Sequence, residues 1–117
     1  MQNFLTIPGG GGGGIVILVA PTITITGTVT VDGKGHTTTN YRENGGAGAG
    51  GSCLIKCQTA TIGTSKITAA GGVVVSDAEK GGDGSVGRIH IDYSSSFTGT
   101  TNPTIDSRLD STIIPLD

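Results

Sequence analysis

Glycine clusters alternate with β-branched segments three times along this chain of 117 residues. The three units occupy residues 9–35, 45–72 and 81–93. Isoleucine, valine and threonine favour strands, whereas glycine clusters interrupt them. Equivalent positions recur about every 37 residues, because Ala20 corresponds to Cys57 and Gly33 to Gly71. A repeat of this length predicts a stack of similar units rather than a scaffold around one cleft.

The first unit shows the strand pattern most clearly. Over residues 22–31, apolar residues at one face alternate with threonines at the other, which excludes a helix. Gly27 interrupts the apolar face and predicts a bulge or a close backbone contact. Residues 15–19 are apolar on both faces, which predicts a central strand. The fold class expected is therefore all-β, a β-solenoid or β-helix-like stack, with a two-sheet β-sandwich of antiparallel strands as the alternative.

The third unit alternates apolar and polar residues over residues 88–93. Ile89 and Ile91 are expected to face inward, and Arg88, His90 and Asp92 outward. Charges on one face predict a one-sided strand, or an edge strand whose charges block further pairing. The polar returns between the units run over residues 32–51 and 71–87, and the second return contains a predicted short strand at 73–75 and one helical turn at 76–80.

The last 17 residues differ from the rest, because residues 101–117 contain no glycine. Pro103 and Pro115 suit an extended segment rather than a central strand. We therefore expect a glycine-rich β-repeat domain at 1–100 and an extended C-terminal arm at 101–117. Ile113, Ile114 and Leu116 are the candidate residues through which this arm contacts a neighbouring subunit.

Composition limits the partners. Charged residues make up 14% of the chain and the net charge is −2, with no basic stripe, so we expect no nucleic-acid partner. The longest apolar run, residues 15–20, is too short to span a bilayer, and we expect no membrane insertion. Hydrophobic residues reach only 34%. A core this thin predicts marginal stability for a single chain, unless copies of the chain bury more of one another.

The two cysteines, Cys53 and Cys57, lie four residues apart. On a straight strand this spacing separates them by about 13 Å. A disulfide needs Cα atoms within about 7 Å, so a bridge within the strand is excluded. The simplest interpretation is two buried core residues. Bridges to other chains, or metal binding with His36 or His90, remain open at this stage.

No motif in the chain predicts catalysis or a cofactor. Residues 46–51 and 82–87 match G-x-G-x-x-G, but both lead into predicted strands, whereas a nucleotide site needs a helix there. Residues 81–84 match only one fragment of a calcium-binding repeat, and they predict a turn whose positive φ angles require glycine. The carboxylates Asp106 and Asp110 are interpreted as solvated charges in the tail. We expect a protein that is not an enzyme, with no cofactor and no metal site.

Two surfaces remain as candidates for contact. Tyr41, Arg42 and Glu43 form the one cluster of aromatic and polar residues, in the first return, where a surface glycan could stack. The threonine row at residues 22–30 resembles the flat arrays of ice-binding proteins. That interpretation requires the row to recur in register through Thr59, Thr61, Thr98 and Thr100. The simpler interpretation is that threonine fills exposed strand faces.

The strands GGG-x-I-x-I-x-A and I-T-I-x-G-x-V-x-V-x-G-x-G, followed by GG-x-G-x-x-GRI-x-I-x-Y, resemble a glycine-rich repeat. It occurs in tail-fibre and tail proteins of tailed phages and in surface proteins of bacteria and archaea. The matching segments are residues 9–35, 45–72 and 81–93. The resemblance implies an elongated β protein of the cell exterior or the virion. We therefore expect a non-enzymatic structural subunit of an extracellular filament or virion fibre, which assembles with copies of itself. The alternative is an adhesin or receptor-binding module for cell-surface glycans.

Overall fold

The structure, a computed structural model, describes residues 6–7, 10–38, 43–44, 46–76 and 82–112. This part of the chain forms strands and no helix. The strands are β1 (Thr6–Ile7), β2 (Ile15–Val19), β3 (Thr22–Thr24), β4 (Val29–Thr30), β5 (His36–Thr38), β6 (Glu43–Asn44), β7 (Ser52–Thr68), β8 (Val74–Ser76), β9 (Arg88–Asn102) and β10 (Asp106–Leu109). The prediction of an all-β fold is confirmed for the described residues.

Every strand pair of the described residues is parallel. The main sheet has the order β10-β9-β7-β2, and β3 and β4 also pair with β7. Ile15 pairs with Ser52, and Ser52 pairs with Arg88, so neighbouring strands are offset by 37 and then 36 residues. These offsets match the interval between equivalent positions in the sequence. The antiparallel pairing on which the sandwich alternative rested is not among these ladders.

The strands β7 and β9 are long and bend back on themselves. Gly51 N donates to Val31 O over 2.7 Å and Val31 N donates to Thr68 O over 2.9 Å, so both ends of β7 lie beside Val31. In the same way, Gly87 N donates to Ala69 O over 2.7 Å and Ala69 N donates to Asn102 O over 2.9 Å, so both ends of β9 lie beside Ala69. Gly63 (φ 70°) is at the bend of β7 and Gly99 (φ 123°) at the bend of β9. Positive φ favours glycine at both bends. Gly27, which the alternation marked as an interruption, lies 36 residues before Gly63, in the break between β3 and β4.

The core lies between the two limbs of each bent strand. Its centre consists of isoleucine, cysteine and alanine side chains that are almost inaccessible to solvent: Cys53, Ile55, Cys57, Ala60, Ile62, Ile67, Ala69, Ile89 and Ile91. Val31 is buried with them, and Ile23, Ile25 and Val29 pack against this core, as the alternation predicts. The interpretation of Cys53 and Cys57 as buried core residues is confirmed. Burial raises the pKa of both thiols.

Five glycine-rich segments pack side by side next to the ends of β7 and β9, and we call them the glycine bundle. They are residues 10–14, 31–35, 46–51, 69–72 and 82–87. Their hydrogen bonds repeat every third residue: Gly10 N and Gly13 N donate to Gly46 O and Ala49 O, each over 2.8 Å. A three-residue period is typical of polyproline II helices packed side by side, where only glycine fits at the crowded positions.

Close approach, rather than a turn, explains most glycines of the bundle; Gly11, Gly14 and Gly82 are exceptions, since no atom lies within 4 Å of a Cβ added there. A Cβ on Gly48 would lie 2.0 Å from Gly11 O, and one on Gly84 would lie 1.9 Å from Gly48 O. Among the described glycines, only Gly63 and Gly99 have positive φ. The prediction that residues 82–84 need positive φ is therefore wrong. The clusters do run into strands, since β7 and β9 begin directly after them, as predicted.

Two predictions about strand position are also wrong. β2 is the terminal strand of the described sheet rather than a central one, and Ile15 and Ile17 are 77% and 61% exposed. Apolar residues on both faces do not distinguish a strand buried in the middle of a sheet from a strand exposed at its edge. For β9, the edge-strand alternative is excluded at residues 90–93, because β10 pairs with it there, and Asp92, expected on the outward face with His90, is buried.

Candidate functional site

A cluster of four charged side chains joins β9 to β10. His90 and Asp92 project from β9, and Asp106 and Arg108 project from β10, where they lie opposite in register. His90 Nδ1 is 2.7 Å from Asp106 Oδ2, and His90 Nε2 is 2.9 Å from Asp92 Oδ1. Arg108 Nε donates to the same Asp92 oxygen over 3.0 Å. We call these four residues the charged clasp.

The protonation of the clasp follows from its partners. Both ring nitrogens of His90 face carboxylate oxygens, which only accept hydrogen bonds when ionised, so the ring donates from both nitrogens as an imidazolium. The hydrogen bond to Asp92 is the largest cause that raises the pKa of His90; partial burial opposes it and Asp106 adds to it. Burial acts to raise the pKa of Asp92, but hydrogen bonds from His90 and Arg108 outweigh it and leave that pKa low.

A shallow pocket of about 430 Å³ opens beside the clasp. It is lined by Ser52, Cys53, Leu54, Arg88, His90 and Asp106. Ser52 and His90 share this pocket, yet both imidazole nitrogens are engaged by carboxylates, so neither is free to accept a proton from the serine. Asp106, expected to be a solvated tail charge, is 74% exposed but pairs with His90. The geometry is that of an ionic contact between two strands.

The second candidate surface is the outer edge of β2. Gly14 O accepts from Ser52 N over 3.0 Å, and Ala20 N donates to Lys56 O over 3.1 Å. Backbone groups of alternate residues in a strand point to opposite sides, so the even-numbered residues of this segment bond to β7. The N–H and C=O groups of Ile15, Ile17 and Val19 therefore point away from β7, towards an edge that no described strand covers.

The side chains of this edge are apolar and exposed. Val19 is 53% exposed, beside Ile15 and Ile17 at 77% and 61%. The partly buried Leu54 pairs with Ile17 in register, which extends the apolar surface onto β7. A backbone edge combined with exposed apolar side chains is a template for pairing with another strand.

The threonines of β3 recur in register on β7, but Thr100, which the ice-binding interpretation also requires, pairs with Thr64 instead of continuing these rows. Thr22 pairs with Thr59, and Thr24 pairs with Thr61, which in turn pairs with Thr98. Ser96 continues the first row, opposite Thr59. Two short rows of hydroxyl-bearing side chains therefore cross three strands, mostly exposed to solvent.

Most of the residues selected from the sequence as contact sites lie outside the described residues. Tyr41 and Arg42 do so, as do Ile113, Ile114 and Leu116. Glu43 lies in β6, where its backbone pairs with Thr6. The clasp was missed because Asp92 and Arg108 are 16 residues apart, and only the β9–β10 register brings them together. The spacing His90-x-Asp92, matched by Asp106-x-Arg108, is the signal that could have suggested it.

Comparisons with protein-family models, with curated proteins and with solved structures gave no match. Within the described ranges, no three histidine, cysteine, aspartate or glutamate side chains come together in a set that could hold a metal ion. The described part of the chain also contains no helix with the length and apolar character needed to cross a membrane.

Proposed function

We propose that this chain is a β-solenoid that serves as a structural subunit of an extracellular filament or virion fibre, with copies joined end to end. The observation that carries the proposal is the open edge of β2, whose backbone groups and apolar side chains have no partner among the described residues. An edge of this kind makes an isolated chain prone to aggregation, and it allows copies of an assembling chain to pair strand to strand.

The strand register supports joining at this edge. Val16 pairs with Cys53, and Cys53 pairs with Ile89, so these three inward-facing positions are equivalent. Arg88 N donates to Gly51 O, so the backbone groups of Ile89 and Ile91 point away from β7. A second copy placed with its Val16 beside Ile89 continues both the hydrogen-bond alternation and the inward face.

The glycine bundle supports the same direction of growth. Ala47 N donates to Gly82 O over 2.8 Å, and Gly50 N donates to Ser85 O over 2.9 Å. The equivalent donors one step further are the N–H groups of Asp83 and Val86, which make no backbone hydrogen bond among the described residues. In a second copy, the carbonyl of Gly12 stands at the acceptor position equivalent to those of Ala49 and Ser85, so the bundle can continue across the joint.

The test is a proline at the open edge. Because the N–H of Ile17 points away from β7, Ile17→Pro removes no hydrogen bond of the subunit but removes the donor that a joint needs. Ile17→Ala is the matched control, since it shortens the side chain and keeps the N–H. We expect wild type and Ile17→Ala to form large species by light scattering and filaments by electron microscopy. We expect Ile17→Pro to remain monomeric by light scattering and folded by circular dichroism. Equal assembly of all three would overturn the joint at β2, and a strictly monomeric wild type would overturn the function.

A further inference from the structure

The strand β10 stands where a second copy would join. Ser107 pairs with Ile91, Ile91 pairs with Ile55, and Ile55 pairs with Leu18. Ser107 is therefore at the position that Leu18 of an incoming copy would take on β9. The hydrogen bond from Asp110 N to Tyr93 O, over 2.7 Å, shows that β10 uses the outward-facing backbone groups of β9 that a joint requires.

We infer that β10 is a displaceable cap on the assembly site, which competes with β2 of a second copy for residues 90–93 of β9. This inference rests on the proposed function and concerns its regulation. Because the backbone groups on one side of β9 can pair with only one strand at a time, β10 and an incoming β2 exclude each other. Growth at this end requires β10 to leave.

The cap contributes little apolar contact. All four residues of β10 are exposed, and Leu109 is 62% exposed. Ile105, just before β10, packs against the core, but Ser107 provides a hydroxymethyl group where β2 would provide the isobutyl group of Leu18. An incoming β2 would therefore bury more apolar surface than β10 does, which favours the exchange.

The charged clasp is what holds the cap. Asp106 and Arg108 are the residues of β10 that bond to β9 side chains, through His90 and Asp92. The strand β2 carries Ile17 and Val19 at the equivalent positions, since Ile17 pairs with Leu54 and Leu54 with His90. The clasp therefore stabilises the capped state and not the joined state.

The clasp makes capping depend on pH. The titratable and charged groups near His90 come from three strands: Arg88 and Asp92 of β9, Asp106 and Arg108 of β10, and Cys53 and Lys56 of β7. The pKa of His90 is raised first by Asp92, which stays on β9, and further by Asp106, which only the capped state brings near. The stabilisation of the cap by the His90–Asp106 pair is therefore complete below the ordinary value of 6.5 and is lost as the pH rises through the raised pKa. Asp92 has a lowered pKa, and its contribution is lost only in acid. Assembly is therefore slow in mild acid and faster above neutrality.

The experiment uses the full chain and follows assembly by light scattering between pH 5 and pH 9. Wild type is expected to assemble about two- to fivefold faster at the alkaline end, since the exposed pair between His90 and Asp106 is lost there. His90→Gln removes the titrating group and is expected to assemble quickly with no step in this range. His36 and the other remaining titratable groups change alike in both proteins, so the difference between them isolates His90.

Two substitutions in β10 should act in opposite directions. Asp106→Asn weakens an exposed pair and is expected to speed assembly by about two- to fivefold. Ser107→Leu gives the cap the side chain that β2 would provide and is expected to slow it. Unchanged rates in both variants, with Ile17→Pro still blocking assembly, would overturn the cap and leave the proposed function standing. If wild type and all variants stay monomeric across the pH range, both inferences are overturned.

Discussion

The glycine bundle predicts a large energetic difference between two chemically identical substitutions, Gly48→Ala and Gly14→Ala. A methyl group on Gly48 would lie 2.0 Å from Gly11 O and 2.5 Å from Gly11 C, both of which are backbone atoms. No atom lies within 4 Å of the corresponding position on Gly14. Neither glycine has positive φ, so the comparison isolates close packing from backbone strain.

The magnitude follows from what must move. Relieving the contact separates residues 10–14 from residues 46–51, and overpacking of this kind costs about 1–3 kcal/mol. Gly48 also accepts from Gly72 N and donates to Lys34 O, each over 2.9 Å, and each bond contributes about 1 kcal/mol. We expect Gly48→Ala to lower the free energy of unfolding by roughly 3–5 kcal/mol. Gly14→Ala should change the free energy of unfolding by less than about 1 kcal/mol. The change should be an increase, because alanine restricts the unfolded chain more than glycine does.

The assay is urea unfolding followed by far-ultraviolet circular dichroism, with Ile17→Pro as the background so that assembly does not add to stability. Native domains are stable by only about 5–15 kcal/mol, so Gly48→Ala should lose a large fraction of the subunit's stability and unfold at a much lower urea concentration. Equal midpoints and slopes for the two alanine variants would refute the reasoning that close backbone approach, rather than flexibility, explains the glycines.

The remaining predictions concern the cysteines and the threonine rows. Because Cys53 and Cys57 are buried and their thiol pKa values are raised, we expect Ellman's reagent at pH 8 to react with both only after denaturation; rapid reaction of the native protein would contradict the described core. We expect no thermal hysteresis from the purified protein, because the rows through Thr24 and Thr59 span only three strands; a measurable freezing-point difference would instead assign them to ice binding.

The alternation of residues was enough to predict several features of the fold. The inward positions of Ile23, Ile25, Ile89 and Ile91, and the burial of the cysteines, were all expected from a period of two. These features depend on residues that are neighbours along the chain, so the local sequence pattern is enough to predict them. The exposed positions of the threonines in β3 were predicted by the same period of two.

What the alternation did not predict depends on contacts between distant segments. The free edge of β2 and the pairing of β10 with β9 are matters of strand order, which a strand's own residues do not encode. The charged clasp illustrates the consequence, because His90 and Asp106 appear unrelated until β10 is placed beside β9. A buried Asp92 could not be expected while its partner Arg108 was taken as part of a free arm.

By itself the sequence predicted an all-β fold, equivalent positions about every 37 residues, and a thin aliphatic core. Only the tertiary structure decided the role of the glycines, because close approach between residues 10–14, 31–35, 46–51, 69–72 and 82–87 is a property of five segments together. It also decided which strand is left open and which is capped. Both outcomes follow from backbone hydrogen bonds between strands, which any sequence with the same alternation could form in more than one order.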